Sequence, residues 1–104
     1  MADYVKVAST DDLSPGDLML VDLDGERVVL ANSDGQIYAL AELCTHAECP
    51  LSEGDLDDGE LVCPCHGSRF DVKTGEVISL PASEPLVTYN VRVEGSDVLI
   101  ASAD

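Results

Sequence analysis

Every cysteine and histidine of this chain falls between residues 44 and 66. Cys44, His46, Cys49, Cys63, Cys65 and His66 account for all 4 Cys and both of the 2 His among 104 residues. They form two mixed blocks, Cys44-Thr45-His46 and Cys63-Pro64-Cys65-His66, with 16 residues between His46 and Cys63. Each block offers a thiolate and an imidazole. For both pairs to reach one centre, two separate pieces of chain must converge. The fold must therefore present two loops side by side.

Cys44 and His46 are two residues apart, so extended backbone would send their side chains in opposite directions. Their loop has to curl. Cys63 and His66 are three apart, which one turn of loop brings to a common point. Two chemistries suit this set. A two-iron, two-sulfide core takes two thiolates on one iron and two neutral imidazoles on the other. A zinc tetrahedron takes two Cys and two His on a single ion. Classical zinc sites pair Cys with Cys and His with His, whereas here each block is mixed. A catalytic Cys–His pair would use one block and leave the other idle.

The rest of the chain reads as strands. Leu18-Met19-Leu20-Val21 and Arg27-Val28-Val29-Leu30-Ala31 flank Asp24-Gly25, a hairpin turn dipeptide, and Asp34-Gly35 leads into Gln36-Ile37-Tyr38-Ala39-Leu40. These three make a meander. Val87, Tyr89, Val91 and Val93 alternate with Thr88, Asn90 and Arg92, the pattern of a half-buried strand. Glu94-Gly95-Ser96 turns the chain into a last strand, Asp97 to Ala101. Residues 4–7 suit an edge strand. Ser9 to Leu13 suits a single helical turn ended by Pro15-Gly16. Within 44–68, Glu60-Leu61-Val62 is the one strand-like piece, so that segment reads as two loops on a short hairpin.

The expected fold is all-β, a small antiparallel β-sandwich or barrel with a two-loop metal-binding subdomain. We expect one domain over 1–104, with that subdomain at about 42–80 inserted in a basal sandwich. With no Trp and 4 % aromatics, the core rests on Val, Leu, Ile and Ala, and so light a core gains from a metal or disulfide. Against 21 acids stand 5 bases, a net charge of −16. That charge disfavours nucleic acid and anionic membrane surfaces, and suits a cationic protein face. The N-terminal residues show neither a basic nor an apolar signal region, and no apolar run is long enough for a membrane span. The expected location is cytoplasmic.

Cys44-Thr45-His46 together with Cys63-Pro64-Cys65-His66-Gly67-Ser68 resembles the signature of Rieske iron–sulfur proteins. Leu51-Ser52-Glu53-Gly54 and the chain's size look like the soluble Rieske ferredoxins of bacterial aromatic-ring dioxygenase systems. The resemblance implies one [2Fe–2S] cluster per chain. Cys44 and Cys63 would bind the buried iron, and His46 and His66 the outer one. It also implies a disulfide between Cys49 and Cys65, as in the Rieske proteins of cytochrome bc complexes, joining the two cluster loops. Ring-dioxygenase ferredoxins usually lack that pair. Ser68 matches a serine that hydrogen-bonds a bridging sulfide. Phe70 stands where high-potential members have Tyr, and a missing hydroxyl donor lowers the potential. Leu80-Pro81-Ala82 resembles the proline loop that covers the cluster.

The function this implies is a one-electron carrier, not an enzyme by itself. It would be a monomer passing electrons from a flavin-dependent reductase to a terminal oxygenase, docking on basic faces. A second reading is the small subunit of a larger redox enzyme, such as a nitrite or arsenite oxidoreductase. A third is a structural zinc module without redox activity.

Overall fold

The computed structural model describes residues 4–23, 25–43, 49–65, 67–79 and 84–102. Ten strands fall in these segments: β1 (Val5–Ser9), β2 (Leu18–Leu23), β3 (Glu26–Ser33), β4 (Gln36–Ala41), β5 (Asp55–Asp57), β6 (Glu60–Val62), β7 (Arg69–Asp71), β8 (Val77–Ser79), β9 (Thr88–Glu94) and β10 (Asp97–Ser102). They make two antiparallel sheets, one in the order β1-β10-β9-β4-β3-β2 and one in the order β5-β6-β7-β8. The edges of the larger sheet, β1 and β2, approach each other, so it curls into a nearly closed barrel. The expected all-β architecture is what forms.

Two-residue turns set the register. Leu23 faces Glu26 and Ser33 faces Gln36, leaving two residues at each tip. At the second tip Asp34 and Gly35 both have positive φ (53° and 92°), which a type I′ hairpin requires. Asp24, at the first tip, lies outside the described residues. Ser9 caps one 3-10 turn, Thr10–Asp12, by accepting from the Asp11 N–H at 3.3 Å.

β3 organises the interior. Its run Val28-Val29-Leu30-Ala31 is buried on both faces, as an uninterrupted apolar strand should be. Val28 and Leu30 join Val21, Leu23, Ile37, Val98 and Ile100 inside the barrel. Val29 and Ala31 point the other way and pack with Leu40, Leu51, Leu61, Cys63 and Phe70. That second core glues the smaller sheet to the barrel wall.

Two expectations need correcting. Segment 44–68 holds more than one strand-like piece: β5 pairs with β6, and Leu51–Glu53 forms a 3-10 turn. With β7 and β8 the hairpin becomes a four-stranded sheet. β9 is also more open than its alternation suggests. Val87 precedes the strand and is 62 % exposed, and Val93 is 48 % exposed. Tyr89 and Val91 alone of that row pack partly against the barrel core. The strand keeps its place through backbone pairing with β10 on one side and β4 on the other. Among the described residues, no helix is long and apolar enough to cross a membrane.

Candidate metal centre

The second block grows out of β6 and returns as β7. Cys63 donates its N–H to the Ser68 carbonyl at 2.8 Å, and Gly67 donates to the Cys63 carbonyl at 3.1 Å. The loop is therefore tied at its base. Gly67 carries φ +76°, a left-handed bend that glycine makes at least cost. At that base the Cys63 side chain is buried, 2 % exposed, among Val29, Leu51, Leu61 and Phe70. Ser68 and Phe70 are buried beside it, and Phe70 faces Leu61 across β6–β7. Cys65 is exposed further up the loop. Position 66, the candidate imidazole, lies outside the described residues.

The first block, Cys44 and His46, lies within 44–48 and is also outside them, but both ends of its loop are placed. Leu43 and Pro50 form an antiparallel bridge. Leu51 donates its N–H to the Glu42 carbonyl at 2.8 Å. Ser52 then gives both its donors to the Glu42 carboxylate, N–H to Oε1 at 2.8 Å and Oγ–H to Oε2 at 2.6 Å. Glu42 in turn donates its N–H to the Arg27 carbonyl of β3 at 3.2 Å. The loop is thus closed on itself and anchored to the barrel.

A disulfide between Cys49 and Cys65 joins the two loops, with Cα atoms 6.3 Å apart and a sequence separation of 16. The sequence-predicted residues Cys49, Cys63, Cys65, Ser68 and Phe70 therefore come together in one region. Pro81, in 80–83, lies outside the described residues. Among those residues no three metal-ligating side chains converge, and Cys63 is the one of the four candidate ligands that falls within them. Sequence reasoning missed Glu42 and Ser52. The available signal was an acid inside the apolar stretch Ala39-Leu40-Ala41-Glu42-Leu43, where a buried carboxylate needs dedicated partners.

Charge is arranged on the outer face of the smaller sheet. Arg69 on β7 reaches Glu60 and Asp57, with all three nitrogen–oxygen distances at 3.2 Å. Those bonds, Glu60's first, raise the guanidinium above its ordinary range. The pair with Asp57 is exposed and that with Glu60 only partly buried, so both contribute little to stability. On the barrel, Tyr89 donates its hydroxyl to Glu26 at 2.8 Å. Burial first, then that bond, push the phenol up to about 12.

Comparison with known proteins bears on this geometry. The family model described as the Rieske [2Fe-2S] domain matches residues 3–90. The biphenyl dioxygenase ferredoxin subunit of Pseudomonas sp. (strain KKS102) is 43 % identical over 98 residues, covering 93 % of this chain and 90 % of that protein. Among solved structures, the ferredoxin of carbazole 1,9a-dioxygenase from Nocardioides aromaticivorans IC177 superposes with a TM-score of 0.91. It is 39 % identical and covers 95 % of this chain and 97 % of its own. A chain from the solved complex of reduced oxygenase and oxidized ferredoxin in carbazole 1,9a-dioxygenase gives a TM-score of 0.89. That chain is 35 % identical, with coverage of 94 % and 92 %.

Proposed function

The chain belongs to the Rieske [2Fe–2S] family, and from that premise we propose that it serves as the ferredoxin of an aromatic-ring dioxygenase system. It takes one electron from a flavin-dependent reductase and gives it to a terminal oxygenase. The observation that carries this reading is the extent of the likeness. The biphenyl dioxygenase ferredoxin matches along 93 % of this chain, well beyond the ligand blocks. A solved neighbour comes from a complex with its oxygenase, which favours the same partner here.

The cofactor is a Rieske [2Fe–2S] cluster, and the residues present suit it. A buried thiol outside any disulfide, Cys63, stands at the base of a backbone-tied loop. A disulfide holds that loop to the one bearing the other block. We assign Cys44 and Cys63 to one iron, and His46 and His66 to the outer iron. Residues 42–80 would then be the cluster-binding subdomain. When bound, the cluster supplies a one-electron couple at roughly −150 to +300 mV, against about −400 mV for all-thiolate plant-type clusters. The chain's part is to exclude water around the Cys63 sulfur and to set its hydrogen bonds. Phe70 brings no hydroxyl, and Ser68 brings one. That combination supports a potential between the low ferredoxin type and the high bc type.

The acidic surface, net −16, steers docking onto basic partner faces in a cytoplasmic setting, with the chain acting as a monomer. Two measurements test this. Iron, acid-labile sulfide and the EPR spectrum of the dithionite-reduced protein test the cluster: a low average g is expected, and an all-thiolate spectrum overturns the histidine assignment. Catalytic amounts of the chain should also restore product formation by a Rieske oxygenase supplied with NADH and a flavin reductase. That rate should fall as salt screens the attraction. No stimulation at any salt concentration rejects the carrier role.

A further inference from the structure

Glu42 spends a buried carboxylate on a task the backbone has partly done already. The residue is 2 % exposed, and a carboxylate removed from water is costly unless its oxygens are bonded. Here both oxygens are occupied by one residue, Ser52, through its N–H at 2.8 Å and its hydroxyl at 2.6 Å. Two residues after Glu42 comes Cys44, and three residues before Ser52 comes Cys49. The pair therefore spans the first ligand loop from end to end.

The backbone contacts at this neck, Leu43 with Pro50 and Leu51 with the Glu42 carbonyl, hold the two strands of the loop at one separation. A carboxylate gripping two different atoms of Ser52 adds two further bonds across that neck. Because Glu42 also donates to the Arg27 carbonyl on β3, the grip is referred to the barrel and not merely to the loop.

We propose that Glu42 is a positioning residue for the metal centre: its two-point grip on Ser52 fixes the neck of the loop whose sequence carries Cys44 and His46. The proposal rests on reading those two residues as ligands. It makes the geometry of the grip, not the charge of Glu42, the operative property. An amide keeps that geometry, since its oxygen accepts from the Ser52 N–H and its NH₂ donates to the Ser52 Oγ.

The test uses the holoprotein and three variants: Glu42→Ala, Glu42→Gln and Ser52→Ala. The readouts are the EPR line shape of the fully loaded reduced protein and the half-life of the visible chromophore under an iron chelator. Glu42→Ala should broaden the lines and shorten the half-life about tenfold, the size expected when a pair of side-chain hydrogen bonds is lost. Glu42→Gln should return both to within about twofold of the starting protein, because the amide remakes both bonds. Ser52→Ala should fall between, and it carries the test if Glu42→Ala does not fold. Wild-type behaviour of Glu42→Ala, or of Ser52→Ala in its place, overturns the proposal. A Glu42→Gln variant as impaired as Glu42→Ala does so too, because charge would then be operative. If the unmodified protein gives no Rieske spectrum, the ligand reading fails as well; a normal spectrum with indifferent variants sinks the grip alone.

Discussion

The barrel and the smaller sheet hold themselves together in different ways. Barrel strands run five to eight residues, most of them in ladders of four to six paired residues, and their inward side chains fill an apolar interior. The smaller sheet has four strands of three residues each. Ladders that short do not persist alone in water. What holds this region is a set of separate fasteners: the Leu61–Phe70 pair against Val29, the Cys49–Cys65 disulfide, the Glu42–Ser52 grip and a tight backbone approach at Gly54. The half that presents the candidate ligands is thus assembled from points, and the half that carries it from lines. Removing one point should loosen the site locally, whereas opening the barrel should lose everything at once.

A matched pair of substitutions tests that contrast most severely. Leu30 is fully buried inside the barrel, and Leu61 is fully buried under the smaller sheet. Truncating either to Ala should cost about 3 kcal/mol, transfer free energy plus cavity. The costs should appear differently. Leu30→Ala should lower one transition in which far-UV circular dichroism and the visible chromophore are lost together. In Leu61→Ala the chromophore should bleach well below the temperature at which the strand signal melts. Coincident transitions in Leu61→Ala would mean that the two sheets are one cooperative unit.

The same contrast governs what could be read from sequence. Barrel strands announce themselves: the apolar runs at Leu18–Val21 and Val28–Ala31 are long, and Asp-Gly pairs punctuate them. Strands β5 and β7 do not. Asp55-Leu56-Asp57 and Arg69-Phe70-Asp71 each place one apolar side chain between charged ones, so too few positions remain to show alternation. Asp58-Gly59 was a third turn dipeptide, and both residues take positive φ (51° and 79°). Weighed as a hairpin signal, it would have revealed β5 as the partner of the strand at Glu60–Val62. β9 forms where the alternation puts it, but less of it is covered than the pattern implies. The alternation of Val87 to Val93 is real, but its apolar row is half uncovered, because pattern reports which side chains share a face and not what lies over it. At the site, residue types and spacing were legible in the two blocks. The Glu42–Ser52 grip was not, since its partners are ten positions apart.

Gly54 gives a smaller effect that separates space from conformation. Its φ of −87° lies outside the left-handed region. A methyl group there would run into the Val62 carbonyl oxygen, with Pro64 Cδ at 3.1 Å. Gly54→Ala must displace the backbone that leads into Cys63, at about 2 kcal/mol. Gly25 is the control: its φ is +89° and nothing lies within 4 Å of an added Cβ. Gly25→Ala should cost about 1 kcal/mol through left-handed backbone alone. We expect Gly54→Ala to speed chelator-driven cluster loss, and Gly25→Ala to lower the melting temperature without changing that rate. If both variants keep the parent rate of loss, the approach at Gly54 is no fastener of the site.

The smallest effect belongs to the barrel and should leave the metal centre untouched. Tyr89, on β9, keeps its phenol proton up to about 12 against an ordinary 10.0, chiefly through burial and next through Glu26. A raised folded-state value means that the fold favours the protonated form. That contribution is whole below pH 10 and drains away as pH climbs through 12. Tyr89→Phe removes the ionisation, so its melting temperature should decline less steeply than the parent's across that window. The late step of the ultraviolet tyrosinate titration should vanish with it. Glu26→Gln should bring the step earlier without returning it to the ordinary value, because burial, the larger cause, remains. In both variants the visible spectrum at neutral pH should match the parent's. A shifted chromophore would show that a polar contact on the barrel wall reaches the metal centre, and the division between lines and points would then be too sharp.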